Sequence, residues 1–322
     1  MTLKMKHSVM VGLMGRHADR FHEYHPARSL AERLEAVRQV PGADGIEIVY
    51  PQDFGADVQA VVRQVRESGL PVSAVNLNVK TEKIWQEGSF TSPKPEVRAQ
   101  AVANLKITMD LAAAFGADLV TCCPLIDGHN YHFQADYLQQ WGWLEACIAK
   151  AARHRADIRI SLEYKLNESR NYCVLGDMGR SLYLCEHLGL PNVGVTMDVG
   201  HALIARETPA EALALAHQAG RLFYVHLNDN ARDWDWDMIP GTVSFWDLIE
   251  MIYYMDRVNW DGWVAYDVNS RQSAPIESMS ATIAIVKMAE QLVARMGPEE
   301  IAGFIAEGNP ATAYTHLFKS LL

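Results

Sequence analysis

The sequence predicts an α/β fold of the (β/α)8 barrel type, with one barrel domain over residues 1–296 and a C-terminal extension over 297–322. Three observations support it. Eight short β-rich runs recur along the chain, and each is followed by a longer helical pattern. Helix stops stand before the later strands, at Gly116-Ala-Asp118, Gly189-Leu-Pro191 and Gly220. No G-x-G-x-x-G follows the first strand, which weighs against an open sheet carrying a dinucleotide. The 322 residues would allow two domains, but a barrel of about 250 residues is a common single-domain solution.

In chain order the strands are placed at Ser8–Leu13, Gly45–Val49, Val72–Leu77, Asp118–Cys123, Ile158–Glu163, Val193–Met197, Leu222–Leu227 and Trp263–Val268. Each is a short apolar run with the length of a buried strand. Between them, helical patterns cover Leu30–Val40, Val58–Glu67, Val97–Phe115, Leu138–Arg153, Met178–Leu188, Pro209–Ala219 and Phe245–Met255. A last clear helix runs from about Met279 to Met296. No internal repeat or low-complexity tract interrupts this order. The tail from Gly297 is expected to cap the barrel or to meet a neighbouring subunit in a homo-oligomer.

Composition narrows the function. The AVILMFWYC residues make up 49% of the chain, enough for a sizeable core. Lys and Arg number 29 against 39 Asp and Glu, a formal charge of −10, which argues against a nucleic-acid partner. No apolar run reaches the ~20 residues that span a bilayer, so no membrane partner is expected. The N-terminus carries no small-residue cleavage site, and the five cysteines include no C-x-x-C pair. A cytoplasmic location is the expectation.

Active sites of such barrels lie at the C-terminal ends of the strands. There the fifth strand ends in Ser161-Leu-Glu163-Tyr-Lys165, the sixth in Thr196-Met-Asp198-Val-Gly-His201, the seventh in His226-Leu-Asn228-Asp229-Asn230 and the eighth in Tyr266-Asp267. Closure would gather Glu163, Asp198, His226 and Asp267 around the barrel axis. Three carboxylates and one imidazole would repel unless a cation neutralised them. Oxygen-rich ligation with one imidazole suits Mn²⁺ best, with Mg²⁺ or Co²⁺ as alternatives. One such carboxylate alone would read as a helix cap; four residues on four successive strands do not.

Other segments add candidates. In Arg232-Asp233-Trp-Asp235-Trp-Asp237 the alternation sets carboxylates on one side of an extended loop, as a solvated surface or as a second cation site with His201. The adjacent Cys122 and Cys123 point to opposite faces and read as small buried hydrophobes. His129 and His132 lie in a polar loop after the fourth strand, where one would serve as general acid or base and the other would bond a sugar hydroxyl. Asn130 lies beside them. The segment Gly15–His25, with His17, carries hydroxyl-binding and ring-stacking groups and has the length of a lid or a subunit contact. Trp85 and Phe90 wall the pocket or pack in the core, and the role of Glu47 on the second strand is open.

Glu163-Tyr-Lys165-x-x-Glu168, Asp198-x-x-His201 and His226-x-Asn-Asp-Asn230 leading to Asp235-x-Asp237 resemble the xylose-isomerase-like TIM-barrel sugar isomerases and epimerases. Within that superfamily they are most similar to the L-rhamnose isomerase branch, as is Asp127-Gly-x-Asn-Tyr-x-x-Gln134. The resemblance implies a structural metal on Glu163, Asp198, His226 and Asp267. It implies a catalytic one on His201, Asp235 and Asp237, with Lys165 near the substrate oxygens and Glu168 in the substrate-binding set. Related ketose 3-epimerases carry Glu where this chain has Asp267 and pair it with the strand-five Glu for proton transfer. The loop departs from the branch pattern at His132-Phe133, so the particular substrate is not carried over.

The expected activity is a divalent-metal-dependent aldose–ketose isomerisation, or epimerisation of a ketose, on a small sugar. The alternative is a metal-dependent lyase of the C-glycoside deglycosidase type, acting on a 3-oxo-glycoside with His132 or His129 as base and a small second subunit. A damaged-DNA endonuclease on this barrel conflicts with the charge, and plain sugar binding does not account for so many unpaired carboxylates.

Overall fold

The computed structural model describes residues 3–322. Eight parallel strands close into a barrel: β1 (Lys6–Met10), β2 (Gly45–Tyr50), β3 (Val72–Leu77), β4 (Leu119–Cys122), β5 (Arg159–Glu163), β6 (Val193–Asp198), β7 (Leu222–Leu227) and β8 (Trp263–Tyr266). Neighbours in the barrel are neighbours in sequence, and β8 pairs with β1 to close it. The chain therefore has the (β/α)8 architecture that the alternation predicts. The strand boundaries agree with expectation to within two residues except at one end. The run expected to extend to Leu13 leaves the sheet after Met10 and turns as a 3-10 helix over Val11–Met14. That turn buries both Val11 and Met14, three residues apart, which an extended strand would have placed on opposite faces.

The helices form the outer layer: α1 (Leu30–Arg38), α2 (Val58–Ser68), α3 (Pro95–Phe115), α4 (Tyr137–Ala152), α5 (Met178–Leu188), a short α6 (Val199–Ile204), α7 (Pro209–Gln218), α8 (Phe245–Arg257) and α9 (Pro275–Met296). Their starts are chemically marked. Ser29 and Glu32 form a reciprocal capping box on α1, and Asp57, Asp136 and Asp177 cap α2, α4 and α5. At its end α3 stops at Gly116, held at φ 76°. The tail forms two further helices, α10 (Pro298–Glu307) and α11 (Pro310–Lys319). Tyr314 and Phe318 of α11 meet Trp246 of α8 edge-on, at centroid distances of 5.5 and 5.3 Å.

Inside the barrel, polar side chains satisfy one another, as burial demands. The hydroxyls of Ser8, Ser73 and Tyr224 form a chain with steps of 2.6 and 2.7 Å. Ser161 bonds Thr196 at 2.7 Å. Strand register then sets the height of the functional residues. Asp198 stands opposite His226 across β6 and β7, and Glu163 stands opposite Thr196 across β5 and β6. Glu163, Asp198 and His226 therefore crowd one sector of the rim.

Gly116→Ala should destabilise the protein by about 1 kcal/mol, because an L-residue at positive φ is strained. A new Cβ there meets no atom within 4 Å, so the cost is backbone strain alone. The urea midpoint should fall with an unchanged denaturant slope; no fall would place the end of α3 elsewhere.

Candidate metal and substrate site

The strand ends enclose a cavity of about 140 Å³. Its wall comes from all eight strands or the segments that follow them. Met10 follows β1's direction, Val49 closes β2, and Asn76, Asn78 and Lys80 continue β3. Cys123 and Leu125 follow β4, Glu163 and Lys165 close β5, His201 opens the first turn after β6, and His226 lies on β7. Asp235 from the loop after β7 and Asp267 after β8 complete it.

Glu163, Asp198 and His226 each offer a donor atom within 4.8 Å of the others. His226 Nδ1 lies 3.5 Å from a Glu163 oxygen and 3.6 Å from an Asp198 oxygen, and is left without a hydrogen bond. Its other nitrogen, Nε2, is 3.2 Å from Glu47 Oε2. Glu47 in turn accepts from Asn76 Nδ2 at 2.9 Å and Thr121 Oγ1 at 2.8 Å. This partner fixes the ring and leaves Nδ1 for the cavity, the arrangement by which proteins orient a metal-ligating histidine. Asp198 caps the short α6 by accepting from the His201 backbone N–H at 2.9 Å, which sets His201 one turn beyond it.

His201 joins the cluster to a second group. Its Nδ1 is 3.0 Å from Glu163 Oε1 without hydrogen-bond geometry, and its Nε2 is 3.2 Å from Asp235 Oδ2. Lys165 Nζ also reaches Asp235, at 2.9 Å, and pairs with Glu168. Asp237 is oriented by a left-handed backbone, φ 48°, and its Oδ1 is buried without a partner, as is Asp235 Oδ1. Four orphaned buried donors (His201 Nδ1, His226 Nδ1, Asp235 Oδ1 and Asp237 Oδ1) are thus clustered among carboxylates. A donor set of oxygens and imidazole nitrogens, short of positive charge, fits a divalent cation.

Electrostatics express the same shortage. Burial opposes charge on His201 and His226, yet Asp198 and Asp235 beside the first, and Glu163 and Glu47 beside the second, hold both well above the ordinary histidine value. Burial, Asp267 and Asp235 push Asp237 well up. Burial followed by Asp235 raises Asp267 to about 6. Burial works against the ammonium of Lys80, but Cys123, Glu163 and Asp267 outweigh it and keep that lysine charged.

A family model described as xylose isomerase-like TIM barrel matches residues 34–289. The chain belongs to this family. It is similar to a xylose isomerase of Thermus thermophilus, 27% identical over 237 residues, which cover 72% of this chain and 61% of that protein. The chain spans less than two thirds of the length of the curated relatives it matches, since coverage is also 61% for the xylose isomerase of Thermus caldophilus. Among solved structures, an L-ribulose 3-epimerase superposes with a TM-score of 0.70 at 19% identity, over 90% of this chain and 96% of that one. A 3-keto-D-glucoside 4-epimerase from E. coli gives 0.67 at 17% identity, over 88% and 100%. At such identities the structural likeness carries the fold alone.

Within this xylose isomerase-like barrel the expected residues divide. Glu163, Asp198, His226, His201, Lys165 and Asp235 come together, with Glu168 reached through Lys165. Asp267 lines the cavity outside the close triad of Glu163, Asp198 and His226. Asp233 turns away, exposed and bonded to Trp236 Nε1 at 2.8 Å. His132 is exposed, and His129 packs between Tyr137 and Tyr172; neither lines the cavity. Asn130 borders outer clefts, and His17 stacks with Tyr24 and His25 in a small hairpin. Those loops are long enough to carry their polar groups past the rim, which is why loop composition misplaces them. Trp85 and Phe90 are core residues, 1% and 0% exposed.

The sequence reading omitted Asn76, Asn78, Lys80 and Cys123 from the cavity. A signal existed for the first three. Asn76-x-Asn78-x-Lys80 continues the period-2 alternation of β3, which places them on one face.

In chelator, the protein's thermal midpoint should fall as pH rises above 6.5. A histidine whose folded pKa is raised stabilises fully below its unfolded value of 6.5 and loses that contribution as pH climbs through the folded value. Asp267, whose folded carboxyl binds its proton more tightly than the unfolded one, adds a fall of the same sign at lower pH. A midpoint that rises with pH above 6.5 in metal-free protein would contradict the charge assignment.

Proposed function

We propose that the protein is a divalent-metal-dependent sugar isomerase, which moves a carbonyl between C1 and C2 of an open-chain sugar. The observation that carries this reading is the triad of Glu163, Asp198 and His226, with its unpartnered inward nitrogen, at a small polar cavity that Glu163 and His226 line. A volume of about 140 Å³ lies below the roughly 300–1,000 Å³ of sites for drug-sized ligands, and favours one small polar occupant. Family membership and the similarity to xylose isomerases support the same chemistry.

Glu163, Asp198, His226 and Asp267 would hold one cation, and His201, Asp235 and Asp237 a second, Mn²⁺ being the best match with Mg²⁺ or Co²⁺ as alternatives. Such ions supply charge that polarises a carbonyl and its neighbouring hydroxyl. The remaining work falls to the chain. Lys165, clamped between Asp235 and Glu168, and Lys80 across the cavity present ammonium donors to substrate oxygens. Asn76 and Asn78 line the same wall and orient hydroxyls. The conversion moves one hydrogen from C2 to C1 and one proton from O2 to O1. Glu163 is bracketed by His201 and His226, and Asp267 is one methylene shorter than the glutamate a paired-base mechanism would use. Transfer of the carbon-bound hydrogen directly between C2 and C1 is therefore the favoured route. The elimination chemistry of the lyase alternative relied on His132 or His129 as base, and neither lines the cavity.

Two measurements test this. Glu163→Gln and His226→Ala should each lose bound metal by elemental analysis and at least ~100-fold in turnover. Asp235→Asn should release only one of two equivalents, and full metal content in both of the first variants would refute the ligand set. Product formed in D₂O should carry almost no deuterium at its new C–H bond. Incorporation near one atom per turnover would replace direct transfer by proton transfer through a side chain.

A further inference from the structure

A second, chemically different donor triad shares Glu163 with the first. The Cys123 thiol, a Glu163 carboxylate oxygen and a His201 ring nitrogen all lie within 4.8 Å of one another, and all three residues are buried. Cys123 is the residue just beyond β4, and its side chain borders the cavity, whereas the preceding Cys122 faces the hydrophobic layer between strands and helices. Two further observations bear on this triad. Cys147 and Cys173 donate to backbone carbonyls, at 3.6 and 3.4 Å, while Cys123 has no hydrogen-bond partner among the described residues. His201, 96% buried by its 4% exposure, leaves Nδ1 unpartnered beside Glu163.

We propose that Cys123, Glu163 and His201 form a mixed sulfur–nitrogen–oxygen site for thiophilic divalent ions such as Co²⁺, Zn²⁺ or Cd²⁺. The inference rests on the metal reading above and deepens it, because it gives the cavity a selectivity that an all-oxygen and imidazole set would lack. Bonds of about 2.0–2.3 Å to a tetrahedral ion set donors roughly 3.3–3.8 Å apart. Glu163 Oε1 and His201 Nδ1 stand 3.0 Å apart already, and the sulfur lies within 4.8 Å of a donor atom on each residue. On binding, the Cys123 S–H proton passes to solvent and the S–metal bond forms; no electron transfer is involved. Mg²⁺, which demands oxygen ligands, gains nothing from the thiolate.

Titration of the chelated full-length chain with Co²⁺ tests this, followed by absorption spectroscopy and equilibrium dialysis. Wild type should develop a near-ultraviolet sulfur-to-cobalt charge-transfer band in step with uptake. Cys123→Ser should lack the band and bind Cd²⁺ at least about tenfold more weakly, with Mn²⁺ uptake changed far less. Cys185→Ser, a buried cysteine on α5 away from the cavity, should keep the band. Stoichiometric Co²⁺ uptake by wild type without the band, or a band that survives in Cys123→Ser, overturns this site and leaves the proposed function standing. A wild-type chain that takes up no divalent ion overturns both.

Discussion

Carboxylate crowding at the C-terminal rim of the barrel is the constraint around which the rest of the site is organised. Glu47, Glu163, Asp198, Asp235, Asp237 and Asp267 converge on one cavity and its floor, where mutual repulsion is poorly screened. The chain compensates partially. Lys165 takes Asp235 and Glu168, Lys80 faces Glu163 and Asp267, and the two histidines are driven toward their charged forms. Asp237 and Asp267 remain with raised pKa values because burial and the neighbouring carboxylates outweigh the cationic groups near them. Removing a cationic member of such a buried set leaves its carboxylates uncompensated, which typically costs about 3–5 kcal/mol. The site is thus poised to exchange protons for a more concentrated positive charge.

The barrel makes this concentration possible and limits its disorder. Three of the ligand candidates, His226, Asp198 and His201, are positioned by further hydrogen bonds in the fold. Glu47 ties the His226 ring to β3 and β4 through Asn76 and Thr121. Asp198 is both a member of the donor triad and the N-cap of α6, so the same carboxylate sets the position of His201. Asn228 donates to Asp198 at 3.3 Å and accepts from the Gly200 backbone N–H at 2.6 Å. A Cβ at residue 200 would stand 2.4 Å from Asn228 Oδ1, so the turn between β6 and α6 admits only glycine at this height. Rigidity of the rim is accordingly built from hydrogen bonds among the strands and the residues just beyond them, one of which reaches across the barrel from β2 to β7.

Most of the barrel was legible in the sequence, because buried parallel strands leave continuous apolar runs and helix ends carry caps and glycines. The inner ligand candidates were legible for a related reason: a carboxylate at the end of an otherwise apolar strand has few structural explanations. Legibility failed where side-chain direction depends on loop path. His129 and His132 follow β4 at almost the same separation at which Asp235 follows β7, yet only the β7 loop folds back over the cavity. Its return is fixed by Asp229, whose carboxylate accepts from the Val243 and Ser244 backbone N–H groups at 2.8 and 2.9 Å. No composition argument reveals such a contact. Cys123 failed differently, since the sequence correctly set the two cysteines on opposite faces but could not say which face was the cavity.

Glu163 is the residue on which the alternatives meet. It stands between an oxygen-rich set with Asp198 and His226 and a sulfur-bearing set with His201 and Cys123. A carboxylate has two oxygens, so one residue can serve both sides: Oε2 faces His226 and Oε1 faces His201. Under the proposed metal reading, hard cations would gain on the first side and thiophilic ones on the second. Both oxygens of Glu163 are directed at imidazole nitrogens that carry no hydrogen bond, so a proton placed on either would compete with the charge those histidines hold.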